Sequence, residues 1–234
     1  DCEFRVADRR QTGGVERCDT GLAPPKGVRR KAQTVAHCGS KCRNAPLVGG
    51  DTDDSNASYE PRETAVTLEE VLANRERRVL LQRRALEAFR RPVVSISLVI
   101  PGPVKDSPEA RLLIDAALHA LELLLDGRHW PVLSRDLRLD PTGPEALLVV
   151  DAKALELKGA TVALEDGHPL GRLWDMDVID PDRGSISRRG LELQPRRCLL
   201  CGEAAHACAR SRAHPLPELL GAIREKLSAW RSRA

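Results

Sequence analysis

The sequence is poor in aromatic residues, with three Trp, two Phe and one Tyr among 234 residues. A core of this composition has to be aliphatic, built chiefly from Leu, Val, Ala and Ile. A strong excess of one charge is also missing, because 37 Lys and Arg stand against 34 Asp and Glu and leave a net charge of +3. Dedicated duplex-DNA binders carry a marked basic excess, so we expect no nucleic-acid partner.

The sequence also lacks any apolar run approaching the roughly 20 residues that span a bilayer, and it begins with no recognisable secretory signal. We therefore expect no membrane association. Seven cysteines without such a signal indicate reduced thiols and a cytoplasmic location. The first residue is Asp1 and the single methionine is Met176, so we expect the natural start to be missing from this sequence or altered in it.

Residues 1–62 differ from the rest of the chain. They hold four of the seven cysteines, at positions 2, 18, 38 and 42, and show little hydrophobic periodicity. This composition predicts a disordered or extraneous N-terminal segment. The alternative is a zinc module using His37, Cys38 and Cys42, although no second ligand pair has a suitable spacing.

A folded domain is predicted over residues 66–232. A capping box from Thr67 to Glu70 begins a helix that should run to about Arg90. Pro92 ends this helix, and β-branched residues predict a buried strand at 93–100. For the arginines of the first helix a solvent-facing surface is favoured over a binding site: Arg75, Arg77, Arg78, Arg83 and Arg84.

Two further helices are indicated. Ser107 is a suitable N-cap for a helix that runs to about Leu125, with Pro108 at its first position. An apolar stripe of helical period predicts a closing helix from Leu216 to Trp230.

Between these helices lie several strand-like segments joined by short turns. Strands are predicted at 130–139, 145–150 and 160–164, with a short helix at 151–158, a strand centred on Asp175 and Asp177, and a short returning strand at 185–188. The pattern favours an α+β fold with a mixed, mostly antiparallel sheet and flanking helices.

The segment Gly167–Asp180 has the most informative alternation. Trp174, Met176 and Val178 would face a core, while Asp175 and Asp177 would share the opposite face with their Cα atoms about 6–7 Å apart. Mg²⁺ prefers one or two carboxylates together with substrate phosphates, so this pair predicts a magnesium site. The alternative is an exposed pair on an edge strand. Candidates for a third ligand are Asp151, Glu165 and Asp166.

A second candidate metal site lies near the C-terminus. Cys198 and Cys201 have C-x₂-C spacing, and His206, Cys208 and His214 follow. Thiolates and imidazole are the ligands of tetrahedral zinc, which predicts a zinc site from Cys198, Cys201, His206 and Cys208. The alternatives are small buried apolar residues under the last helix and, less favoured, a redox pair.

Basic residues cluster around these motifs, and forked guanidinium donors suit a polyphosphate ligand. They are Lys105, Arg172, Arg188, Arg189, Arg196, Arg197, Arg210 and Arg212. The turn at 101–108 also leads into a helix N-terminus, which favours anion binding, although it could be an ordinary strand-to-helix turn. His168 is a candidate acid, base or phosphate contact, or simply a turn residue.

Four motifs together resemble a known family. They are IPGPVKDS at 100–107, PTGPEA at 141–146, EDGHPLGRLWDMDV at 165–178, and RCLLC with the following CARSRAH at 197–214. In order and spacing they resemble the citrate lyase holo-acyl-carrier-protein synthase family, also called apo-citrate lyase phosphoribosyl-dephospho-CoA transferase. The resemblance extends from about Val66 to Trp230, and residues 1–60 have no counterpart in it.

The resemblance implies a nucleotidyltransferase, for which we expect a nucleotidyltransferase-like fold. Such an enzyme would take 2′-(5″-triphosphoribosyl)-3′-dephospho-CoA and attach its phosphoribosyl-dephospho-CoA part to a serine of the apo acyl-carrier subunit of citrate lyase, releasing diphosphate. From residue type we assign catalytic roles to His168, Arg172, Asp175 and Asp177. Substrate binding is assigned to Lys105, Ser107, Arg188, Arg197, Arg210 and Arg212.

Two other functions remain open from the sequence. The chain could be a zinc-stabilised module that recruits the lyase subunits and catalyses nothing. It could also perform the same transfer on the carrier protein of another lyase or decarboxylase.

Overall fold

The computed structural model describes residues 64–233. The elements are α1 (Leu68–Phe89), β1 (Val93–Leu98), α2 (Pro108–Gly127), β2 (Val132–Asp140), β3 (Gly143–Val150), α3 (Ala154–Gly167), β4 (Trp174–Asp180), β5 (Gly184–Ile186), α4 (Ala205–Ser211) and α5 (Leu216–Arg231). The predicted N-terminal segment 1–62, with its candidate ligands His37, Cys38 and Cys42, lies outside this range. Across residues 64–233, no helix is both long enough and apolar enough to cross a bilayer.

The five strands form one sheet in the order β2-β3-β1-β4-β5, and every neighbouring pair is antiparallel. The predicted α+β class is confirmed, and the sheet is wholly antiparallel instead of mixed. In the central pair, β1 and β4, Ser95 lies opposite Asp177 and Ser97 opposite Asp175. Because opposed residues of an antiparallel pair point to the same face, these four side chains share one side of the sheet.

The other side of the sheet carries the main core. Ile96, Leu148, Trp174 and Met176 are fully buried there and join the buried faces of α2, α3 and α5. Burying one such side chain stabilises the fold by roughly 1.5–3 kcal/mol. The aliphatic core predicted from the composition is therefore formed by this face.

The side of the sheet that holds the serines and aspartates is covered by protein at one end only. There Ala85 of α1 packs with Val93, Leu147 and Val149 in a second, smaller core. The polar end, with Ser97 and Asp175, has no such cover and opens into a cavity. The change from apolar to polar side chains along the strands thus decides where the helix packs and where the site lies.

The predicted strand at 160–164 is wrong, because these residues belong to the single helix α3. Leu157, Lys158, Thr161, Val162 and Glu165 are buried, and their spacing of three and four residues is that of one helix face. Gly159 lies between the predicted helix at 151–158 and the predicted strand at 160–164. A helix tolerates an isolated glycine at a cost of about 1 kcal/mol, and the packing of its neighbours outweighs that cost.

Candidate functional site

A cavity of about 1390 Å³ lies over the polar end of the sheet. Its floor is formed by β1 and β4 where Ser97, Asp175 and Asp177 emerge. Its walls are the N-terminal half of α1, the loop after β1, the β2–β3 turn and the C-terminal segment that includes residues 198–219. Pockets for drug-sized ligands have volumes of about 300–1,000 Å³, so this cavity suits a larger ligand.

The two aspartates of β4 enter the cavity as the alternation predicted. Trp174, Met176 and Val178 are buried on the other face, Asp175 is partly exposed and Asp177 is exposed to the cavity. One oxygen of Asp175 lies 3.1 Å from the guanidinium of Arg196. The carboxylate of Asp177 is therefore more available to a ligand than that of Asp175.

The cavity environment raises the pKa of Asp177 above its usual value. The largest cause is desolvation by the surrounding protein, and the like charge of Asp175 is the next. Lys158 and Arg196 oppose this shift. A cation between the two carboxylates would remove their repulsion, so the electrostatics of the pair suit a divalent metal.

Buried charges hold β4 in position from the side. Met176 pairs with Ile96 of β1 on one side, but β5 does not reach it on the other side. There α3 satisfies its backbone, because Lys158 donates to its carbonyl oxygen (2.9 Å) and its N–H donates to Glu165 (2.7 Å). Glu165 also accepts from Arg188 and Arg196, each at 2.6 Å. Arg196 thus links the buried Glu165 to Asp175 in the cavity.

The three candidates for a third metal ligand lie elsewhere. Asp151 pairs with Arg91 at 2.7 Å, and Asp166 pairs with Arg188. Glu165 lies beneath the edge of β4 and pairs with Arg196. None of the three lines the cavity. The protein ligands that fit Mg²⁺ are therefore Asp175 and Asp177, which suits a metal that completes its coordination with water and substrate phosphates.

Glu145 of β3 is the other acidic residue that lines the cavity. Asn74 donates to it at 2.8 Å, and Arg78 and Arg138 lie within 3.3 and 2.9 Å of its oxygens. Burial nevertheless raises the pKa of Glu145. With its oxygens already occupied, this carboxylate orients the arginines of the cavity wall and is not a free ligand.

Five basic side chains line the cavity: Arg75, Arg78, Lys105, Arg172 and Arg212. Lys105 donates to the carbonyl of Ile100, and burial followed by the charge of Arg75 lowers its pKa. Arg172 donates one Nη to the carbonyl of Arg197, while its Nε and other Nη are buried without a hydrogen-bond partner. Such unsatisfied donors are costly, and Arg172 lines the cavity, so it is a candidate for binding an anion there.

The C-terminal wall contains a compact group of metal-binding side chains. The ligand atoms of Cys198, Cys201, Cys208 and His214 lie within 4.8 Å of one another. Burial opposes ionisation of Cys198, but hydrogen bonds from the Leu200 and Cys201 amides, with those from Cys201 and Cys208, lower its pKa to about 6. This group shares a wall with the cavity through Cys198, Cys208 and His214.

Comparison with known proteins explains this arrangement. A family model described as apo-citrate lyase phosphoribosyl-dephospho-CoA transferase matches residues 66–230. The chain belongs to this family. A protein of that name from Escherichia coli O1:K1 / APEC is 40% identical over 164 residues, covering 70% of this chain and 90% of the relative. The relative from Shigella flexneri serotype 5b (strain 8401) has the same identity and coverage.

The resemblance inferred from the four motifs is thereby confirmed. The family match covers every strand and α-helix from α1 to α4, together with nearly all of α5. It also includes all residues that line the cavity. The cavity is therefore a feature of the region that this chain shares with the transferase family.

The structure brings only part of the predicted site together. Of the predicted catalytic residues, Arg172, Asp175 and Asp177 line the cavity, and of the predicted substrate-binding residues Lys105 and Arg212 do. His168 instead stacks on Trp174 with ring centroids 4.4 Å apart. It accepts the N–H of Leu170 at 3.1 Å, so its visible role is structural and we assign no chemical step to it.

The other predicted substrate-binding residues do not line the cavity. Ser107 caps α2 by accepting the N–H of Ala110 at 3.1 Å. Arg188 pairs with Glu165 and Asp166. Arg197 and Arg210 are exposed outside the cavity. Their residue type suits phosphate, but their positions on the chain place them elsewhere.

Sequence reasoning missed the contribution of α1. Arg75 and Arg78, assigned to a solvent-facing surface, line the cavity together with Asn74 and Gln82. Gln82 donates to Ser95 at 2.9 Å. The available signal was the spacing, because residues 71, 74, 75, 78, 79 and 82 recur at intervals of three and four and define one helix face.

Proposed function

We propose that this chain transfers the phosphoribosyl-dephospho-CoA group of 2′-(5″-triphosphoribosyl)-3′-dephospho-CoA to a serine of the apo acyl-carrier subunit of citrate lyase. The observation that carries the proposal is the family match over residues 66–230, in a region whose main cavity joins two carboxylates with five basic side chains. The name of the relatives gives the transferred group, phosphoribosyl-dephospho-CoA, and apo-citrate lyase.

The basic side chains would bind the triphosphate of the donor. Arg172 has two buried donor nitrogens without a partner, and it lines the cavity together with Lys105 and Arg212. Guanidinium groups bind phosphate oxygens through parallel hydrogen bonds and remain charged at any physiological pH. This arrangement would fix the leaving diphosphate and stabilise the charge that develops on it.

Asp175 and Asp177 would hold Mg²⁺ against the same phosphates. When bound, the metal would neutralise charge on the transferring phosphoryl group and help to position it. Arg196, anchored by the buried Glu165, keeps Asp175 in place through its 3.1 Å contact. Asp177 would be the second protein ligand of the metal.

The nucleophile would come from the partner protein. The serine hydroxyl of the carrier would attack the phosphorus nearest the ribose and lose its proton to solvent. A new phosphodiester bond would form, and the bond to the diphosphate would break. The open side of the cavity would admit the carrier serine, and no serine of this chain has to react. Two carboxylates on one strand, facing a large basic cavity, also support a nucleotidyltransferase-like arrangement of the fold.

We place the reaction in the cytoplasm, where the apo carrier would be modified. Cys198, Cys201 and Cys208 are free thiols. Thiols persist in the reducing cytoplasm, whereas extracytoplasmic compartments favour disulfides.

Intact-mass spectrometry of the carrier tests the proposal. Purified apo carrier is incubated with this chain, the triphosphoribosyl donor and Mg²⁺. We expect a mass gain equal to the donor minus diphosphate, and no gain when the acceptor serine of the carrier is replaced by alanine. An unchanged carrier mass would contradict the proposal. A gain on the carrier of a different lyase or decarboxylase, but not on that of citrate lyase, would redirect it to that partner.

A further inference from the structure

The segment between β5 and α5 is ordered without a core of its own. From Ser187 to Ala222 no residue is buried, and α4 contributes no buried side chain. Burial of apolar side chains is the main term that holds small structural units together. Leu191 and Leu199 pack against the main core but are only partly buried, and the ion pairs of Arg188 and Arg196 with Glu165 fix only the start of the segment.

The first two cysteines of the segment lie in a tight hairpin. Cys198 donates its N–H to the carbonyl of Glu203 (2.7 Å), and Ala205 donates to the carbonyl of Arg196 (2.8 Å). Arg197 and Ala204 form an antiparallel bridge between these two contacts. The hairpin therefore presents Cys198 and Cys201 together at its closed end, as a C-x₂-C ligand pair requires.

The other two ligands come from the chain that follows. Cys208 lies on α4, which ends at Arg212 in the left-handed conformation with φ 50°. This residue reverses the chain and returns His214 to the thiols. His206 is exposed on α4, and since it precedes Cys208 by two residues it points to a different side of the helix. His214, and not the predicted His206, completes the group.

The distances within the group suit one tetrahedral metal. The Sγ atom of Cys201 lies 3.5 Å from that of Cys208 and 3.4 Å from Nε2 of His214. Zinc bonds of about 2.3 Å to sulfur and 2.0 Å to nitrogen in a tetrahedron place neighbouring ligand atoms about 3.5–3.8 Å apart. A disulfide would require about 2.05 Å between two sulfurs.

We propose that Cys198, Cys201, Cys208 and His214 bind one structural Zn²⁺ ion. Four protein ligands close the coordination sphere and leave no position for a substrate, so the ion would serve the fold. It would hold the hairpin, α4 and the start of α5 as one wall of the cavity, with Arg212 in that wall. The bond from Arg172 to the carbonyl of Arg197 connects this wall to the start of β4.

Metal analysis of the full chain tests the site independently of any transfer activity. The purified protein is exchanged into zinc-containing, reducing buffer, freed of loose metal, and assayed for bound zinc. We expect about one zinc per chain. Cys201→Ser or His214→Gln should reduce the zinc content by roughly tenfold or more. The matched controls Cys42→Ser and His206→Gln should retain the parent value.

A second measurement uses the unmodified protein, so its result does not depend on whether the variants fold. Chelation of zinc from the unmodified protein should accelerate tryptic cleavage after Arg196, Arg197, Arg210 and Arg212, and added Zn²⁺ should restore protection. The proposal is overturned if the unmodified chain binds no zinc, if His206→Gln loses the metal while His214→Gln keeps it, or if thiol counting reveals a disulfide in place of free thiols under these conditions.

Discussion

At the scale of single residues, the site depends on a difference between two neighbouring aspartates. Asp175 is partly neutralised by Arg196 at 3.1 Å, whereas Asp177 is exposed to the cavity and has a raised pKa. Asp175 is held in place by its ion pair with Arg196. Within residues 64–233, Asp177 has no ion pair of this kind and would be stabilised by a bound cation. A divalent cation would satisfy both.

Replacing either carboxylate should abolish transfer without unfolding the protein. We expect Asp175→Asn or Asp177→Asn to lower the rate of carrier modification by roughly a hundredfold or more, because the amide cannot balance metal and phosphate charge. The rate is measured by mass spectrometry and the fold by circular dichroism. Asp182→Asn is the control, because its side chain is 77% exposed in the β4–β5 turn. Near-normal transfer by Asp177→Asn in magnesium buffer would refute the metal role.

The repulsion between the two aspartates can be measured directly. In metal-free protein, ¹³C NMR of the Asp177 carboxyl should show a pKa above the ordinary 3.8. Asp175→Asn removes the like charge and should lower this pKa. It should remain above 3.8, because burial is the larger cause. The acid form of Asp177 therefore persists to higher pH than that of an exposed aspartate, and Mg²⁺ affinity should fall as the pH falls through this range. An unchanged pKa in Asp175→Asn would contradict the assignment of cause.

At the scale of secondary-structure elements, α3 supports the site by satisfying an incomplete strand. β5 pairs with β4 only from Val178 to Asp180, so the backbone of Met176 would be unsatisfied without Lys158 and Glu165. Gly171 allows this close packing, since a Cβ there would lie 2.2 Å from the carbonyl oxygen of Glu165. The orientation of Asp175 and Asp177 therefore depends on a helix that contributes no residue to the lining of the cavity.

Glu165→Gln should destabilise the protein strongly. Glu165 is 1% exposed and balances Arg188 and Arg196, and removing one partner from a buried charge group costs about 3–5 kcal/mol. Urea unfolding should show a loss of roughly 3 kcal/mol. Glu156→Gln on the same helix removes only an exposed pair with Lys153 and should change stability by less than about 1 kcal/mol. Equal effects of the two substitutions would show that the buried network does not hold β4.

At the scale of the whole molecule, the cavity is assembled from segments that are distant in the chain. α1 contributes Arg75 and Arg78, the loop after β1 contributes Lys105, and β4 contributes its two aspartates. The C-terminal segment closes the remaining wall with Arg212. The proposed zinc site would therefore share a surface with the proposed substrate site.

Removing residues 1–62 should leave this assembly intact. Both cores, all five strands of the sheet and the family match lie within residues 64–233. We expect the shortened chain to unfold cooperatively, with the same urea midpoint and the same rate of carrier modification as the full chain. Loss of cooperative unfolding or of transfer would show that the N-terminal segment belongs to the functional domain.

The sequence by itself determined the α+β class, the alternation of β4, the ends of α1, α2 and α5 and the family. These features depend on local periodicity, capping residues and ordered motifs, which are written along the chain. Only the tertiary structure decided which basic residues share the cavity. Arg75 and Arg197 cannot be told apart by residue type, but Arg75 lines the cavity and Arg197 lies outside it. It also decided that His214 replaces His206, since a left-handed turn at Arg212 returns the chain to the thiols.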